Sequence, residues 1–146
     1  MLFLPKEGKA ALAAEKIADA VIRASGIELI AWRDVPVNPS CLGDQALETL
    51  PTIKHVVLSR PSSVPAADYE RQLFWVRRRI EKGWEQAKLI DCYIPSFSSK
   101  TIAYKGLLVA PQLSQFYKDL SDPDYTSAIA VFHQRYSTNT FPNWFL

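Results

Sequence analysis

Cysteine is scarce in this chain, with Cys41 and Cys92 its only two thiols. Two are too few for a disulfide framework, and their spacing excludes a C-x-x-C zinc or redox motif, so reduced thiols in a cytoplasmic setting are expected. Long apolar runs are missing as well. None approaches the roughly 20 residues of a membrane span, and Met1-Leu2-Phe3-Leu4-Pro5 carries no basic stretch ahead of an apolar one. Charge of one sign is also absent: 17 basic against 15 acidic residues give +2, too near balance to imply a nucleic-acid or membrane-surface partner. The five glycines form no phosphate-binding loop, and neither an H-E-x-x-H helix nor an EF-hand pattern occurs. Internal repeats and low-complexity segments are lacking too, which excludes a solenoid.

What remains is an ordinary globular composition. With 48% hydrophobic and 22% charged residues, 146 residues suffice for one domain around one core. Ala13, Ile17, Val21 and Ala24 recur at helical spacing and predict a helix over residues 8–25 that stops at Gly26. Residues 27–32 read as a strand broken by Arg33 to Pro39, and residues 36–51 as mostly loop. The β-branched run 53–58 predicts a buried strand between Pro51 and Pro61. Asp68 is placed to cap a second helix over 69–86, with Leu73, Val76, Ile80 and Trp84 as its apolar stripe and Gly83 weakening its last turn. Residues 92–97 and 101–104 read as a strand pair, 108–117 as containing a short helix, 121–124 as a turn and 128–135 as a last strand. This order predicts a layered α+β sheet domain.

Chemistry concentrates near the end, where His133, Gln134, Arg135, Ser137, Thr138, Asn139 and Thr140 set an imidazole, a guanidinium, two amides and hydroxyls side by side. Read from residues alone, Arg135 is a strand-end arginine paired with a surface carboxylate, and His133 a satisfied histidine of the core. The run Arg77-Arg78-Arg79 fans around a helix among Glu70, Glu81 and Glu85, so it reads as a solvated face. Cys92, inside a strand pattern, reads as a buried inert thiol. The four tryptophans read as core and interface, and Phe141, Trp144, Phe145 and Leu146 form an apolar group that must fold back, stay exposed or meet a partner.

The run from His133 to Pro142, together with Gly26-Ile27-Glu28-Leu29-Ile30-Ala31-Trp32-Arg33-Asp34-Val35-Pro36-Val37-Asn38, resembles the amidotransferase domain of the glutamate synthase large subunit. Residues 74–81 with Arg77-Arg78-Arg79-Ile80-Glu81, residues 93–107 from Tyr93-Ile94-Pro95-Ser96 to Lys105-Gly106-Leu107, and residues 115–123 extend the likeness over nearly the whole chain in order. It implies an α+β fold, part of a four-layer αββα sandwich of the N-terminal nucleophile hydrolase type. The implied chemistry is hydrolysis of glutamine to glutamate and ammonia. The ammonia would feed reductive formation of glutamate from 2-oxoglutarate at FMN and an iron–sulfur cluster, both held by other domains of the parent enzyme and neither by this chain.

In that family the nucleophile is an N-terminal cysteine whose α-amine, with a pKa of about 8, acts as base for a thiol of about 8.5. Residue one here is Met1, so the chain is expected to be an incomplete domain, 1–146, without the nucleophile segment and the C-terminal remainder, and inactive alone. Arg135 matches the position whose guanidinium grips the α-carboxylate of glutamine, a two-pronged geometry that lysine cannot offer. Thr138 and Asn139 match neighbouring positions of the pocket wall. The expected partners are glutamine and the remaining domains of the parent polypeptide. The alternative is a stand-alone binding or regulatory module that keeps the carboxylate-gripping edge.

Overall fold

The computed structural model describes residues 1–6, 8–134 and 139–145. They form two compact units, the first comprising Met1–Asp34 and Pro51–Ala103, the second Val35–Leu50 and Tyr104–Leu146. Each unit holds buried apolar side chains of its own.

Unit 1 is helix on sheet. Helix α1 (Gly8–Ala24) ends where Gly26 takes φ +70°, the left-handed position that spares glycine a Cβ clash. Its buried face is Ala14, Ala18 and Ile22, one residue round from the expected stripe, and Ala24 is exposed. Small alanines at the contact let α3 (Ala66–Gln86) approach closely, and Trp84 Nε1 donates to Ala14 O at 2.9 Å. The same closeness explains Gly83: a Cβ there would lie 2.8 Å from Ile17 Cγ2, so the glycine serves the helix contact and is no mere weakness of the last turn. The stripe Leu73, Val76, Ile80 and Trp84 is buried as the spacing predicts, joined by Tyr69. Each such fully buried large side chain contributes about 1.5–3 kcal/mol. Asp68 does not cap the helix, which starts three residues earlier behind Pro65; its carboxylate pairs with Arg71 at 3.1 Å.

Beneath the helices lies an antiparallel sheet in the order β1-β3-β2, built from β1 (Leu2–Leu4), β2 (Glu28–Asp34) and β3 (Thr52–Ser59). Strand β2 runs through Arg33 and Asp34, two residues past its expected end, because both pair with β3 opposite His55 and Lys54. Strand β3 is central, yet only Ile53 is fully buried and Val57 is 42% exposed. Val56 and Leu58 pack on the core, while Lys54 reaches Glu15 of α1 at 2.8 Å. The expected strand pair of 92–97 and 101–104 does not form. Tyr93 makes one isolated bridge to Phe3, and the serine-rich turn is held by side chains: the Glu70 carboxylate accepts from Ser98 Oγ and the Ser99 amide.

Unit 2 contains only short elements. Residues 36–51, expected as loop, contain a 3-10 turn (Pro39–Cys41) entered through Asn38, whose side chain accepts from Ser40 N, and helix α2 (Asp44–Glu48). Helix α4 (Gln112–Phe116) and a second 3-10 turn (Lys118–Ser121) follow. Val37 bridges Tyr117, and Asn38 N donates to Phe116 O at 2.8 Å, so the backbone ties the two halves of this unit. Its buried side chains are Val35, Leu42, Ala46, Phe116, Tyr117 and Trp144. No strand forms over the described residues 128–134; Ile129, Val131 and Phe132 are 80%, 93% and 85% exposed. Their β-branched character suits a ladder, but no strand partner lies beside them among the described residues.

Candidate functional site

Of the apolar residues after the polar cluster, Trp144 folds back. The Trp144 indole is buried against Phe116, with centroids 5.6 Å apart, and its Nε1 donates to Ala46 O at 3.0 Å. Gly106 leaves room for it: a Cβ on that residue would lie 2.9 Å from Trp144 Cζ3. Lys105 Nζ donates to Phe145 O at 2.8 Å, and Tyr117 Oη donates to Lys105 O at 2.7 Å. Residues 104–106, 116–117 and 144–145 thus form a socket that fixes the far end of the polar cluster. Phe141, by contrast, is 94% exposed.

Next to the socket stands a tyrosine–carboxylate group. Tyr104 Oη donates to Asp119 Oδ2 at 3.0 Å, the Tyr104 ring packs edge-on against Tyr117 and Tyr125, and Asp119 is buried. Burial first, then its hydrogen bonds to Tyr125 and Asp119, pushes the Tyr104 phenol well above the usual tyrosine range, and burial does the same to Tyr117. Burial also draws the Lys105 ammonium below the usual lysine range. Residues 104, 105 and 119 belong to segments matched by resemblance, but no local pattern in the sequence assigned them a part; only their burial does so.

Of the expected substrate-binding residues, Asn139 lies in an exposed bend, while Arg135 and Thr138 lie outside the described residues. His133 is exposed, which corrects the expectation of a core histidine; residues 128–134 enter no sheet that could bury it. Arg77 and Arg78 both pair with Glu81, as expected of a solvated face. Cys92 is half-buried outside any strand. Burial, with Asp91 adding to it, pushes its thiol up to about 12, so at neutral pH it is protonated and a poor nucleophile. Among the described residues no group of three or more His, Cys, Asp or Glu side chains could hold a metal ion, and no helix is long and apolar enough to cross a membrane.

The glutamate synthase [NADPH] large chain of Azospirillum brasilense is 40% identical over 144 residues, covering 98% of this chain and 10% of that relative. A chloroplastic ferredoxin-dependent glutamate synthase of Oryza sativa is 40% identical over 99% of the chain, and the NADPH large chain of Bacillus subtilis 40% over 89%. The chain therefore spans only 9–10% of the length of these relatives. The family model for class-II glutamine amidotransferases matches residues 1–146. A match across every residue, rather than a local motif, places the chain in the class-II glutamine amidotransferase family.

Proposed function

We propose that these 146 residues are part of the glutaminase domain of a glutamate synthase, a larger polypeptide that hydrolyses glutamine and uses the released ammonia to form glutamate from 2-oxoglutarate. The observation that carries this reading is the family match over residues 1–146 joined to 40% identity with glutamate synthases over nearly the whole chain. Coverage of about a tenth of each relative supports an incomplete domain. In this reading Arg135 grips the glutamine α-carboxylate while Thr138 and Asn139 line the pocket wall. The socket around Trp144 holds that edge in place. The attacking thiol is neither of the present cysteines, a view supported by the protonated state of Cys92.

The finer fold assignment is the αββα sandwich of N-terminal nucleophile hydrolases. A helical layer lying on one face of an antiparallel sheet, as in unit 1, is the kind of layer that fold repeats. FMN and an iron–sulfur cluster would supply the redox chemistry from other parts of the polypeptide. Two thiols, one in each unit, do not fit the four thiolates a cluster takes. Free thiols also favour a reducing compartment such as the cytoplasm.

The test uses the full-length protein that carries this segment. Arg135→Ala should lower glutamine-dependent glutamate formation by about 30-fold or more, the effect of losing a buried charged contact of roughly 2–5 kcal/mol. Glutamate formation from added ammonia should be unchanged. Glutamine kinetics indistinguishable from those of the parent would remove the role assigned to Arg135.

A further inference from the structure

Strand β1 meets β3 in one antiparallel register, Leu4↔Thr52, Phe3↔Ile53 and Leu2↔Lys54. One step back along β1 is one step forward along β3, so Met1 falls opposite His55, and a residue preceding it in a longer polypeptide would fall opposite Val56. Residues 56–59 of β3 continue their ladder with β2 as far as Ser59, but no strand faces them on the β1 side among the described residues. The phase of that uncovered side is fixed as well. Phe3 N donates to Tyr93 O at 2.7 Å and Phe3 O accepts from Tyr93 N at 2.9 Å, so the main-chain groups of Phe3 turn away from β3. Alternation then turns those of Leu2 and Leu4 toward β3, and on β3 it turns those of Val56 and Leu58 toward the uncovered side and those of Val57 toward β2.

Along the uncovered side lies a cavity of about 310 Å³ within unit 1, bounded by Met1, by Val56 and Leu58, by Tyr69 and Leu73 of α3, and by the loop of residues 96–102. The space is roughly ten times the share of liquid volume taken by one water, so a single structural water does not fill it. Its far wall is tied to α3, where the Glu70 carboxylate accepts from Ser98 Oγ and the Ser99 amide. Four extended residues, about 13 Å long, would lie beside residues 56–59.

Met1 sits as a residue in the middle of a strand would. It is 6% exposed, and its nitrogen, in phase with that of Phe3, donates to Ser96 O at 2.8 Å. An ammonium is poorly housed there: burial, with Arg77 adding to it, draws its pKa down to about 5. A peptide N–H makes the same bond with no charge to desolvate. Leu2 and Leu4 belong to the core under the helices, and Val56 and Leu58 pack against it. The first and third residues ahead of Met1 would face that core too, where uncharged side chains are suited.

We propose that, in the longer polypeptide of the glutaminase reading on which this inference rests, the four residues directly ahead of Met1 extend β1 and cover residues 56–59 of β3. A chain already joined to Met1 reaches Val56 in register without a turn, which favours it over any segment that must enter from elsewhere. The segment ahead of Met1, which on that reading includes the nucleophile, is thereby tied to unit 1 by main-chain hydrogen bonds.

The test uses the full-length polypeptide that carries this segment. Val57, 42% exposed, and the second residue ahead of Met1 would form a non-hydrogen-bonded pair with side chains on one face and Cα atoms about 4.5 Å apart, within reach of a disulfide. Val57→Cys combined with a cysteine at that second residue should give the linked tryptic peptide after mild oxidation, read by mass spectrometry. Val57→Cys combined with a cysteine at the first residue ahead of Met1 should not link, because those side chains point to opposite faces. In the unsubstituted polypeptide, hydrogen exchange followed to single residues should find the amides of Val56 and Leu58 as slow as that of Val57. Fast exchange at Val56 and Leu58 beside a protected Val57 overturns the proposal. So does protection without the link in a variant that still forms glutamate from added ammonia, since another segment would then cover the edge. Neither readout involves glutamine, so the proposal and the role assigned to Arg135 fail separately.

Discussion

In unit 1 two helices of 17 and 21 residues press aliphatic stripes onto a sheet, whereas in unit 2 no described helix exceeds five residues and burial rests on Phe116, Tyr117 and Trp144. The first plan spreads stability over many similar contacts along regular elements. The second concentrates it in a few rings and in polar ties such as Trp144 to Ala46 and Tyr104 to Asp119. Regular elements give a scaffold that tolerates exposed loops, while a few aromatic anchors can hold an irregular binding edge without long helices. Long helices in unit 1 and an aromatic cluster in unit 2 are thus two different ways of burying apolar surface.

That contrast can be broken at its strongest point first. Trp84→Ala should destabilise the chain by about 3–5 kcal/mol, read as a lower urea midpoint by far-ultraviolet circular dichroism. Hydrogen exchange should place the loss in α1 and α3; equal loss of protection at α4 would mean that the two units do not differ as described. Trp144→Phe keeps most of the ring but removes the donor to Ala46 O, at a cost of about 1–3 kcal/mol. Here near-ultraviolet circular dichroism should change while the helical signal hardly moves, because the affected unit has little helix.

The smallest effect is the most discriminating. If Gly83 only weakened a helix end, Gly83→Ala would stabilise by up to about 1 kcal/mol. Because the added methyl meets Ile17 Cγ2, overpacking of about 1–3 kcal/mol should outweigh that gain and leave the variant less stable. Thermal denaturation decides the sign, and the double variant with Ile17→Ala should recover part of the helix gain.

Unit 1 was largely legible in the sequence, since Leu73, Val76, Ile80 and Trp84 repeat at the period of the helix they form. Its errors are local ones. Hydrophobic spacing points one residue away from the true α1 face because the close contact is made by small alanines, which it underweights. The chemistry of Asp68 suits a cap, but Pro65, with its fixed φ, allows the helix to start earlier. Unit 2 was far less legible. Trp144 meets Ala46 across 98 residues, and Tyr104 meets Asp119 through a hydroxyl, neither of which leaves a periodic trace. The β-prone stretch 128–134 shows the converse: propensity marks a capacity for pairing, and a strand exists only where a neighbour accepts it. For the candidate site, Arg135, Thr138 and Asn139 rest on resemblance alone, whereas the socket around Trp144 is visible only in the fold.

The placement of the four indoles also makes the chain its own optical instrument. Trp84 and Trp144 are sealed in different units, Trp75 is 59% exposed and Trp32 is partly covered. A soluble quencher such as acrylamide should reach Trp75 first and leave the two sealed indoles emitting at shorter wavelength. With Trp32 and Trp75 replaced by phenylalanine, the remaining emission reports one signal from each apolar centre. On the proposed glutaminase reading, glutamine added to the full-length polypeptide should change the emission of Trp144.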